Sequence, residues 1–67
     1  MIEVRVNGER RTLPDGTTVA GLLAELGMPV TGVAVALDGE VVPRTGHAGT
    51  PVPDGAVIEV VTAVQGG

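Results

Sequence analysis

The chain has 67 residues with 13 Val, 5 Leu and 2 Ile but no Phe, Trp, Tyr, Cys or Lys, which leaves room for one small aliphatic domain. These absences exclude disulfides, thiolate nucleophiles, thiolate metal cages and side-chain Schiff bases, and the single His47 cannot build a multi-histidine metal site. Eight acidic residues against four arginines give a net charge of −4, which argues against binding nucleic acid or an anionic membrane surface.

Met1 to Asn7 alternates, with Ile2, Val4 and Val6 on one face and Glu3, Arg5 and Asn7 on the other, the period of a half-buried strand. Asn7-Gly8 suits the positive backbone angles of a tight hairpin turn, and Arg10 to Leu13 returns as a shorter second strand. Pro14-Asp15-Gly16 makes a turn. Thr17 or Thr18 then caps a helix whose Val19, Leu22, Leu23 and Leu26 share one face; Gly27 ends it and Pro29 prevents its continuation. Gly21 within this helix is either a close-packing point or a tolerated defect.

Val33 to Leu37 reads as a buried strand, Asp38-Gly39 as a turn, and Glu40 to Val42 as a short strand ending at Pro43. Arg44 to Gly55 reads as a loop containing one irregular turn. The last strand runs from Ala56 to about Ala63, with Ile58, Val60 and Thr62 alternating against Val57, Glu59 and Val61.

The order strand, strand, helix, strand, strand, strand predicts an α+β fold: a β-grasp, or ubiquitin-like, roll. Its mixed sheet of four to five strands pairs the first and last strands at the centre and packs one main helix on one face. Residues 1–64 form the single domain, and 65–67 are expected as a flexible tail. The longest apolar run, Val33 to Leu37, falls far short of the roughly 20 residues of a membrane span, and no basic, apolar leader opens the chain. A cytoplasmic, non-membrane protein is therefore expected, most simply a monomer.

Side-chain chemistry is sparse. His47 lies among small residues and reads as a solvated loop histidine. Asp15, Asp38, Glu40 and Asp54 all flank turn glycines and read as local turn chemistry, with no acid–base pair among them. No catalytic residue, metal site or bound cofactor is expected, and the chain does not read as an enzyme. What remains is Gly66-Gly67. Without Cβ atoms this pair threads a narrow channel, and a nucleotide-activated Gly67 carboxylate could accept sulfur to become a thiocarboxylate.

With that tail, the chain resembles the sulfur carrier proteins of thiamine biosynthesis, the ThiS family, over essentially its whole length. The resemblance is carried by Ile2-Glu3-Val4-Arg5-Val6-Asn7-Gly8, Thr18-Val19-Ala20-Gly21-Leu22-Leu23, Val33-Ala34-Val35-Ala36-Leu37-Asp38-Gly39, Val41-Val42-Pro43-Arg44, Pro53-Asp54-Gly55 and Ile58 through Gly67. It implies that a ThiF-like adenylating enzyme uses ATP to activate the residue matching Gly67. A sulfur donor system then forms the thiocarboxylate, and a ThiG-like thiazole synthase takes the sulfur. Gly66 matches the penultimate glycine, Gln65 precedes it in the threading tail, and Arg44 matches the basic residue after Val-Pro. Two departures stand out: Thr45-Gly46-His47-Ala48-Gly49 where relatives often carry a bulky residue, and Ala56 where many carry an acidic one.

If Ile58 and Val60 face the helix, Val57, Glu59 and Val61 lie on the opposite face as a docking patch, to which Arg44 is added on the strength of the resemblance. The acidic balance would suit partners with basic docking surfaces. Three other readings stay open. The same chemistry could serve a molybdopterin synthase small subunit or a cysteine-pathway carrier, the terminus could tag another protein, or the domain could be a plain β-grasp interaction module. The compact Val-Thr-Ala-Val-Gln-Gly-Gly ending favours thiamine.

Overall fold

Two tight turns set the sheet. At Asn7-Gly8 φ is 52° and 83°, and at Asp38-Gly39 it is 50° and 88°; both central positions need the left-handed region that Asn, Asp and Gly tolerate. The first turn joins β1 (Ile2–Val6) to β2 (Glu9–Leu13), and the second joins β3 (Val33–Leu37) to β4 (Glu40–Val42). The computed structural model describes residues 1–28 and 32–62. It adds α1 (Val19–Glu25), a 3-10 turn at Arg44–Gly46 and β5 (Val57–Thr62).

The strands form one five-stranded sheet in the order β2-β1-β5-β3-β4. β5 is central, parallel to β1 and antiparallel to β3, so the first and last strands pair in the middle as the alternation predicts. Val4, Val6, Val35, Ile58 and Val60 point from the sheet into a core shared with Val19, Leu22 and Leu23 of the helix; Leu13, Val52 and Ala56 complete it. Ala56, placed by the turn at Asp54-Gly55, is buried in that core. The roles expected of Pro29 and of the tail 65–67 fall outside the described residues.

Every early amide of α1 has a partner. Val19 N–H donates to Thr50 O at 2.9 Å and Ala20 N–H to His47 O at 2.9 Å. Gly21 N–H donates to the Thr18 Oγ1 cap at 3.1 Å. The loop over 43–50 is therefore a cap built on the helix N-terminus.

This corrects the reading of His47, which is 5% exposed. Its Nε2 lies 3.0 Å from Val42 O. A carbonyl can only accept, so Nε2 carries the proton and donates. The ring ties the loop to β4 while the backbone carbonyl of the same residue caps the helix. Small neighbours hide this in the sequence because they mimic a solvated loop.

Asp38 and Asp54 also reach beyond their turns. Glu3 N–H donates to Asp54 Oδ1 and Val57 N–H to Asp38 Oδ1, each at 2.8 Å. Gly21 proves to be a tolerated defect, since a Cβ there would meet Thr17 Cγ2 at 3.4 Å and Thr18 Oγ1 at 3.5 Å, ordinary contact distances. Gly21→Ala is expected to stabilise the domain by about 0.5–1 kcal/mol and to raise Tm by several degrees in a far-UV circular dichroism melt.

Candidate functional site

The alternation that sends Ile58 and Val60 into the core turns Val57, Glu59 and Val61 outward. Val57 is 52% and Val61 61% exposed. Strand pairing widens this row. Val61 stands opposite Ala34, Glu59 opposite Ala36, and Ala36 in turn opposite Val41, which is 75% exposed. On the other side Arg5 stands opposite both Val57 and Arg10. The face away from the helix thus has an apolar centre with Glu59 within it and an arginine-bearing flank.

Arg10 Nε lies 3.3 Å from Glu3 Oε2 on that flank. The arginines Arg5 and Arg10 balance Glu3 and Glu59, so the acidic excess of the chain sits elsewhere. A partner need not be basic to meet this face; apolar complementarity governs. The contributions of Ala34, Ala36 and Val41 were hidden in the sequence because they depend on strand order and register.

Arg44 does not join this face. It opens the 3-10 turn and lines a cavity of about 270 Å³ with Leu23, Ala24, Met28 and His47 on the helix side. Among the described residues no carboxylate or hydroxyl lines that cavity. Among the described residues no group of three or more His, Asp or Glu side chains could hold a metal ion. No helix among them is long and apolar enough to cross a membrane. Gln65, Gly66 and Gly67 lie outside the described residues.

Residues 4–67 match the family described as the ThiS family. The chain is 42% identical over 64 residues to the sulfur carrier protein ThiS of Thermus thermophilus, covering 96% of this chain and 98% of that protein. The chain belongs to the ThiS family. As a ThiS-family member it is a small sulfur carrier protein.

Two further similarities place it. The crystal structure of a thiamine biosynthesis protein (ThiS) from Geobacter metallireducens superposes with a TM-score of 0.83 at 32% identity, covering 98% of this chain and all of that one. The shared ThiS fold is the β-grasp roll expected from the strand order. The chain is also 40% identical over 62 residues to a thiazole synthase of Paramagnetospirillum magneticum, covering 92% of this chain but 19% of that protein.

Proposed function

We propose that the chain carries sulfur as a C-terminal thiocarboxylate on Gly67 for thiazole formation in thiamine biosynthesis, in the cytoplasm. The observation that carries this reading is the ThiS-family match running through residue 67, so that Gly66-Gly67 falls inside the matched region. A Gly67 carboxylate oxygen attacks the α-phosphorus of ATP on a ThiF-like adenylating enzyme, releasing pyrophosphate and leaving a mixed anhydride. Hydrosulfide delivered by a sulfur donor system then attacks the carbonyl carbon, AMP departs, and the thiocarboxylate remains. The partner uses the ATP, and the carrier itself holds no cofactor and supplies no catalytic residue.

A ThiG-like thiazole synthase is the fitting acceptor. The thiazole synthase of Paramagnetospirillum magneticum contains a stretch resembling this chain, which supports pairing carrier and acceptor. Gln65 and Gly66 thread into the partner's channel, where the missing Cβ of Gly66 permits close approach.

Docking of the adenylating enzyme falls to Val57, Glu59 and Val61, joined by Val41; Arg44, on the helix side, lies outside the contact. The test is ATP–pyrophosphate exchange catalysed by the adenylating enzyme with this chain as substrate. Val61→Asp is expected to lower kcat/KM about tenfold or more, the scale of an interface anchor. It should leave Tm within a few degrees, because Val61 is exposed. Failure of the unaltered chain to support exchange would refute the carrier reading. Wild-type exchange by the Val61→Asp chain would remove Val61 from the docking face.

A further inference from the structure

Arg5 and Arg10 stand directly opposite each other on β1 and β2. Both point outward, because Val4 and Val6 on either side of Arg5 enter the core. Directly opposed residues of an antiparallel pair hold their Cβ atoms about 4.5–5.5 Å apart, and like charges there are destabilising. The sheet offers little relief for this pair. Glu3 answers Arg10 alone, through Nε at 3.3 Å, and both of those side chains are well exposed. Arg5 is exposed and forms no ion pair among the described residues.

The two arginines line an open recess of about 180 Å³, together with Glu3, Gly55 and Val57. Two arginines against one glutamate leave this recess one positive charge, in a chain whose net charge is −4. Planar guanidinium forks pair with carboxylates at two points. Glu3 in the recess and Glu59 on the same face would repel an extended polyanion, so a single carboxylate is the fitting occupant. The row then runs straight into the apolar centre, since Arg5 also stands opposite Val57.

We propose that the Arg5–Arg10 pair receives an Asp or Glu carboxylate of the adenylating enzyme, beside the apolar contact made by Val57 and Val61. The apolar centre supplies area, and the arginines supply direction. They lie on the β2-β1 side of the sheet and exposed Val41 on the β4 side, so the face can be met only one way round. The acidic excess of the chain favours basic partners at long range, and this flank reverses the preference locally. This inference rests on the carrier reading above.

The test is ATP–pyrophosphate exchange with Arg5→Gln, and with Arg10→Gln as the second variant, each confirmed folded by circular dichroism. Arg11→Gln is the control. It removes the same charge from β2, but Arg11 stands opposite Val4 and so belongs to the other side of the sheet. Arg5→Gln and Arg10→Gln are expected to raise KM for the carrier about threefold to tenfold at low salt, with kcat within about twofold. The difference from the unaltered chain should close toward about 1 M salt, where the screening length falls to about 3 Å. Arg11→Gln should leave KM unchanged. An unaltered KM in both test variants would overturn the proposal, as would a rise that Arg11→Gln shares or that salt does not remove. A rise in KM for ATP instead would assign the arginines to the nucleotide's phosphates and overturn it equally. An unaltered chain that supports no exchange would overturn the carrier reading, and this assignment with it.

Discussion

Deleting Gly67 is expected to abolish activation altogether, the largest effect foreseen for any single change. A chain shortened by one residue still ends in a glycine carboxylate, that of Gly66, so the chemistry of the group is unchanged. Its position is not. One residue of extended chain spans about 3.5 Å, far more than the roughly 1 Å that costs about a hundredfold. Pyrophosphate exchange should fall to the background of the adenylating enzyme alone, while Tm stays that of the full chain. A deleted chain that still supports exchange would mean that the reacting group lies elsewhere. An interaction domain with incidental glycines would keep its binding after the same deletion.

The second large effect concerns the core. Leu22 is fully buried against the sheet, at the centre of a core made entirely of aliphatic side chains. Leu22→Ala is expected to cost about 2–5 kcal/mol, from lost transfer energy and the cavity left behind. A 67-residue domain at roughly 0.05–0.15 kcal/mol per residue has about 3–10 kcal/mol in total. The variant should therefore melt at least about 10 °C lower. Far-UV circular dichroism is the readout, since the chain has no Trp or Tyr to report by fluorescence. A Tm within a few degrees of the unaltered chain would show that α1 can close over the gap and that the core is less tightly specified than its burial indicates.

The fold was legible where period and turn chemistry coincide. Asn7-Gly8 after an alternating run indicated the first hairpin, and the spacing of Val19, Leu22, Leu23 and Leu26 indicated the helix, while the choice between Thr17 and Thr18 as its cap was made only by the structure, in favour of Thr18. The central pairing of β1 with β5 followed from the apolar alternation of the two strands. That Val57, Glu59 and Val61 share the outward face was legible for the same reason, because alternation assigns a face. What alternation cannot assign is neighbours. Val41, Ala34 and Ala36 enter the patch only through the order β5-β3-β4, and Arg44 leaves it because the 3-10 turn carries it to the helix side.

Long-range hydrogen bonds were illegible for a related reason. His47, Asp38, Asp54 and Asn7 sit in segments whose composition already explains them as loop or turn residues. Nothing local indicates that each also bonds to a distant or non-adjacent backbone group. In a small domain without aromatic rings or disulfides, such side chains tie loops to the sheet. Their polar character makes them look like surface residues in the sequence while their partners lie on other strands.

The most direct measurement is the intact mass of the full chain after incubation with a ThiF-like adenylating enzyme, ATP and a sulfide source. The account predicts a gain equal to the exchange of one oxygen for one sulfur, absent without ATP and absent from the chain lacking Gly67. An unchanged mass, with the same enzyme shown active on another carrier, would contradict it.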